Sequence, residues 1–146
     1  MVCRGQFIEE DVVIKTYRGS CHCGKVHFEA DMDLAAGTAR CNCSICSKRR
    51  SWNALVKPAQ FRLLSGEDAM TDYGFGTMQG HHLFCSTCGC APFSQGHVEA
   101  IGGDFVAIQI GCLDDVDPNE LAAAPVNYGN GRDNRWWEPP AITSYI

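Results

Sequence analysis

The chain has 146 residues, 45% of them apolar and 20% charged, which fits one folded domain and excludes a disordered protein. Seventeen acidic against twelve basic side chains leave a net charge of −5, so neither nucleic acid nor an anionic membrane is the expected partner. Ten cysteines, in a chain with no apolar run near the ~20 residues of a membrane span, need an explanation of their own.

Residues 1–11 carry Arg4, Glu9, Glu10 and Asp11 in place of an apolar stretch, so the sequence predicts no secretory leader and a cytoplasmic location. Val26, Phe28 and Ala30 alternate with Lys25, His27 and Glu29, the period of a half-buried strand. Residues 44–50 hold no Gly or Pro and predict a short helix. Strands are predicted at 51–57, stopped by Pro58, and at 61–64, which turns at Ser65-Gly66. Two more are predicted at 78–85 and 105–112. Asp117-Pro118-Asn119-Glu120 reads as a capping box with proline at the first helical position, predicting a helix to about Ala124. From Asn127 onward, Gly129-Asn130-Gly131, Trp136-Trp137 and Pro139-Pro140 predict an irregular tail pinned to the body by its tryptophans. The expected fold is mainly β, with one or two short helices, in a single domain over 1–146.

Eight of the ten cysteines fall in three tight clusters: Cys21-His22-Cys23-Gly24, Cys41-Asn42-Cys43-Ser44-Ile45-Cys46 and Cys85-Ser86-Thr87-Cys88-Gly89-Cys90. Disulfides gain most by closing long loops, whereas thiolates one or two residues apart converge readily on one ion. Thiolate-only ligation favours zinc over the hard cations. The outer clusters form a pair: each places Gly directly after its second cysteine, where a positive φ turns backbone N–H groups toward sulfur. Cys21, Cys23, Cys85 and Cys88 would then make a closed, structural four-sulfur zinc site. Buried packing or redox-active thiols are the other readings. The middle cluster supplies three sulfurs, Cys41, Cys43 and Cys46, and three protein ligands are the pattern of a zinc with an open fourth position. Lys48, Arg49 and Arg50 beside it either hold the carboxylates of an anionic ligand or form a solvated helix end. Cys90 is a spare ligand or a packing residue, Cys112 is expected at a buried strand end, and Cys3 lies in the terminus.

Ser20-Cys21-His22-Cys23-Gly24-Lys25-Val26-His27-Phe28, then the Cys41–Cys46 cluster, then His82-Leu83-Phe84-Cys85-Ser86-Thr87-Cys88-Gly89 with Pro92-Phe93, together resemble the glutathione-dependent formaldehyde-activating enzyme family, which includes the centromere protein V type of domain. The likeness covers about 17–113, and Gly131-Arg132-Asp133-Asn134-Arg135-Trp136 resembles the family's C-terminal segment. It implies an antiparallel β-sandwich of zinc-knuckle character and two zinc ions per chain, one structural and one on Cys41, Cys43 and Cys46. It also implies carbon–sulfur lyase chemistry joining glutathione and formaldehyde as S-(hydroxymethyl)glutathione.

The chemistry expected of the three-sulfur site is a thiol such as glutathione completing the coordination, losing its proton and attacking an aldehyde carbon, or the reverse cleavage. His81 and His82 are the candidate proton acceptors, and on a strand they face opposite ways, so one at most serves. His82 is the catalytic candidate alongside Cys41, Cys43 and Cys46, and a surface or structural histidine is the other reading of both His81 and His82. Trp52, Tyr73, Phe75 and Trp136 either line a pocket or fill the β core. Two other readings compete: a non-catalytic, zinc-stabilised protein-interaction module, whose trio would be closed by a fourth protein ligand or metal-free, and a metal-free redox trio.

Overall fold

The computed structural model describes residues 13–146; Cys3 therefore lies outside the described residues. Tyr17 and Gly19 of β1 (Lys15–Ser20) and Phe28, Ala30 and Met32 of β2 (His27–Met32) alternate inward with period two. The two strands pair antiparallel from Lys15↔Met32 to Ser20↔His27, and β2 pairs on its other side with β5 (Phe61–Ser65). Gly19 is required at its place, because a Cβ there would lie 2.2 Å from the Phe28 ring.

A five-stranded sheet faces this three-stranded one, in the order β10 (Val126–Gly129), β3 (Thr38–Cys41), β4 (Asn53–Val56), β9 (Gly103–Gln109), β8 (Phe93–Val98). The shared core joins Phe28, Val26 and Ala30 to Ala54, Val56, Val106, Ile108 and Phe93. Phe61 and Phe93 pack across it at 4.6 Å between ring centroids, with Phe28 5.8 Å from Phe61. A hairpin of β6 (Met70–Tyr73) and β7 (His82–Cys85) forms a third, two-stranded sheet. The mainly β expectation holds, and the pairing is antiparallel except at β10–β3, which run parallel.

Two short α-helices are present among the described residues, α1 (Ser44–Arg49) and α2 (Pro118–Ala123), both at predicted positions. Asp117 caps α2 by accepting from the Asn119 N–H at 2.8 Å. Glu120 does not complete a capping box. It takes the Tyr17 hydroxyl and the Lys15 ammonium instead, tying α2 to β1.

Several element boundaries differ from the sequence-based expectation. The strand predicted at 78–85 is only His82–Cys85, because Gly76 and Met78 adopt positive φ and turn the chain. Residues 110–112 form a 3₁₀ turn and not the end of a strand, and that turn holds Cys112. The predicted strand 51–57 shortens to Asn53–Val56. β1, β3, β6, β8 and β10 are strands that periodicity alone did not predict, and β10 begins the tail expected to be irregular. That tail is not pinned by its tryptophans: Trp136 is 46% and Trp137 67% exposed. Hydrogen bonds of Asn130 and Arg132 with Asn42 hold it. None of the described helices is long and apolar enough to cross a membrane.

Candidate metal centres and the adjoining cleft

The two outer cysteine clusters fold into matching turns. In the first, Gly24 donates its N–H to the Cys21 carbonyl at 3.1 Å with φ of 84°. In the second, Gly89 donates to the Cys85 carbonyl at 2.8 Å with φ of 80°. Each turn points N–H groups at its sulfurs: Val26 N–H lies 3.3 Å from Cys21 Sγ, and the Cys90 N–H serves Cys88. The Cys21, Cys23, Cys85 and Cys88 sulfurs all lie within 4.8 Å of one another. Cys21 to Cys23 is 3.7 Å and Cys23 to Cys85 is 3.6 Å. These separations match the ~3.8 Å edge of a tetrahedron with ~2.3 Å zinc–sulfur bonds, and they are far beyond the ~2.05 Å of a disulfide. The donor set therefore fits a closed zinc site. Backbone N–H donation, first from Cys90, brings Cys88 down to about 5. Lys25's N–H favours the Cys23 thiolate, but burial and the neighbouring thiols push Cys23 up to about 11. Crowded sulfurs share protons in this way unless a cation lets all of them ionise.

The middle trio sits where β3 runs into α1. Cys41 closes the strand, Cys43 is the N-cap residue, and Cys46 lies in the first turn. All three are half-buried, and their sulfurs lie within 4.8 Å of one another. Among the described residues no fourth Cys, His, Asp or Glu joins them. The Cys43 and Cys46 thiols donate to Cys41 and, with the N–H groups of Cys43 and Gly131, pull it down to about 2. Cys46 is pushed up by the Cys41 and Cys43 sulfurs and by burial. These three donors fit a soft divalent ion bound from one side.

The C-terminal segment grips this turn through residues that motif reasoning missed. Asn42, buried between two of the cysteines, donates from Nδ2 to Asn130 Oδ1 at 3.0 Å. Its Oδ1 accepts the Arg132 N–H at 3.0 Å, and its carbonyl accepts Arg132 Nε at 3.1 Å. Gly131 is pressed so closely on the site that a Cβ would meet Cys41 Sγ at 2.8 Å and the Trp136 ring at 2.4 Å. The Gly129-Asn130-Gly131 run was the available signal, though its partner is not readable from spacing.

Beside Cys46 a small cleft opens on the outer face of the five-stranded sheet, with a cavity volume of ≈ 50 Å³. Arg49, Ser51, Asn53, His82, Ser94 and Gln109 supply its polar lining. The two candidate histidines separate as strand geometry requires. His82 lines the cleft and stacks on Phe75 at 5.2 Å, while His81 turns away to pair with Asp72 at 2.7 Å. Burial, then the Arg49 charge, lowers His82 below its ordinary value. Of the basic triplet, Arg49 turns to the cleft, Arg50 donates to the Tyr145 carbonyl at 2.9 Å, and Lys48 is exposed. Among the aromatics, Trp52 packs against the core and Trp136 lies over Gly131. His22 is exposed, Cys90 packs against the core, and burial pushes the Cys112 thiol up to about 11.

Comparison with known proteins places this arrangement. A sequence model of the family described as glutathione-dependent formaldehyde-activating enzyme matches residues 16–128. Among solved structures, a Rhodobacter sphaeroides protein known from a structural-genomics crystal structure is 30% identical with a TM-score of 0.63. The match covers 75% of this chain and 98% of that one.

Proposed function

The chain belongs to the glutathione-dependent formaldehyde-activating enzyme family, and on that premise we propose that it is a zinc-dependent enzyme of carbon–sulfur lyase type. It would act on glutathione or another small thiol and an aldehyde, making or cleaving an adduct such as S-(hydroxymethyl)glutathione. Cys21, Cys23, Cys85 and Cys88 hold a structural zinc in this reading, and Cys41, Cys43 and Cys46 hold a second. A zinc ion held by Cys41, Cys43 and Cys46 would supply Lewis acidity that favours the thiolate form of a small thiol. The chain's own groups do the rest. His82, kept neutral by burial and by Arg49, accepts the thiol proton from its place in the cleft. The cleft walls hold the carbonyl and exclude water around it.

The observation that carries this reading is a three-sulfur donor set with no fourth protein donor among the described residues, next to a cleft. The competing interaction module predicts a trio closed by a fourth protein ligand or left metal-free, and the donor set counts against the first of these. The redox reading needs metal-free thiols there. Metal-binding cysteines must stay reduced, which suits a reducing compartment, so the cytoplasm is the proposed location. The net charge of −5 supports a small molecule over nucleic acid as the partner.

The test is to load the protein with zinc, add glutathione and formaldehyde, and follow adduct formation by exchange NMR. The proposal expects exchange well above the buffer rate. A rate equal to buffer, with zinc bound, removes it.

A further inference from the structure

We propose that the cleft beside Cys46 is built for an aldehyde that carries its own carboxylate, a 2-oxoacid aldehyde of glyoxylate size, and that Arg49 is the residue that selects it. This inference rests on the proposed thiol–aldehyde chemistry and deepens it by naming the class of the carbonyl partner.

Size comes first. A cavity of ≈ 50 Å³ takes only a few water-sized groups. A tripeptide thiol cannot enter it and must lie across the open surface outside, so whatever fills the cleft is the small reacting end of the substrate pair. Polarity comes second. A neutral one-carbon aldehyde offers one oxygen and asks for one or two donors. The cleft offers more: the Arg49 guanidinium, the Ser51 and Ser94 hydroxyls and the Asn53 and Gln109 amides, with no Asp or Glu in its lining. Gln109 has a defined orientation, because its Oε1 accepts the Trp52 backbone N–H at 2.9 Å and its NH₂ remains as the donor. Arg49 is half-buried; one donor reaches the His82 carbonyl at 3.5 Å, and no carboxylate pairs with it among the described residues. A half-buried guanidinium surrounded by donors is complementary to a carboxylate, which takes it as a bidentate partner.

The reaction balances without another reagent. The thiol sulfur bonds to the aldehyde carbon, the C=O π bond opens, and the proton lost from sulfur finishes on the new hydroxyl. The carboxylate is unchanged and stays on Arg49. The reverse breaks the C–S bond and returns the thiol and the oxo acid.

The experiment compares kcat/KM for thiol addition to glyoxylate and to glycolaldehyde, two aldehydes of nearly equal size of which only the first has a carboxylate. Each is run with glutathione and with 2-mercaptoethanol, which has no carboxylate of its own, and the uncatalysed rate is subtracted. Glyoxylate is expected to win by ~10-fold or more with both thiols. Arg49→Gln is expected to collapse that ratio toward one, and Arg49→Lys, which keeps charge but not the fork, to fall between. Binding of glyoxylate alone, followed by chemical-shift perturbation at Gln109 and Ser94, should weaken in parallel. Where R49Q does not fold, the wild-type ratio and R49K carry the decision. A wild-type ratio at or below one, or a ratio untouched by either substitution, overturns the inference while leaving formaldehyde chemistry intact. No catalysed addition to any aldehyde overturns the proposed function itself.

Discussion

Asn42 shows what a residue must do to hold an incomplete metal centre. A trio of thiolates on a strand end and a short helix is free to spread, and three anions in contact repel one another. Asn42 removes that freedom by satisfying Asn130 and Arg132 at once, with its own side chain buried. Replacing Asn42 by Ala leaves the Asn130 side-chain Oδ1 and the Arg132 N–H without these partners, which costs about 1–3 kcal/mol. The account expects a lower melting temperature and weaker zinc binding at the trio by competition with a chelator, while the outer site keeps its metal. Equal loss at both sites would mean that Asn42 acts on the whole fold. His82 gives a second prediction at this scale. As a proton acceptor it must be neutral, and its value lies below the ordinary ~6.5 of histidine. The rate should therefore stay flat as pH falls to about 6.5 and drop only below it, and His82→Gln should abolish that limb. Zinc content measured at each pH separates this limb from acid release of the metal.

At the scale of elements, the two cysteine sets are expected to respond differently to loss of one cysteine. Cys21 and Cys85 are buried, and their turns tie the β1–β2 edge to the β6–β7 hairpin. Cys85→Ser should unfold the chain or lower its melting temperature drastically, since a zinc ion at this site would join segments 62 residues apart. Cys46→Ser touches one turn of α1, whose residues are not buried, and should leave circular dichroism unchanged while removing one zinc. Much of this was legible in the sequence. Cysteine spacing is local, so both ligand sets and α1 could be read directly, as could β2, β5 and β9 from their apolar alternation or run. β1 and β6 escaped because they carry mostly exposed polar residues, and their strand character comes from a partner. β10 escaped because a tail rich in Gly, Trp and Pro reads as irregular until β3 supplies a parallel neighbour. The cleft was hidden for the same reason: Asn53, Ser94 and Gln109 lie on three different strands that only the sheet brings together. The Asn42–Asn130 bond, spanning 88 residues, has no sequence signature.

For the molecule as a whole, the proposed function makes the sandwich a frame with one centre that stabilises and one that stays open to ligand. The central claim is that the second centre is completed by the substrate's sulfur. It is tested most directly by zinc-edge X-ray absorption on the two-zinc protein before and after adding glutathione. The account predicts an average of about 3.5 sulfur neighbours per zinc without thiol, rising to about 4 with it. A count that glutathione leaves unchanged would contradict the account.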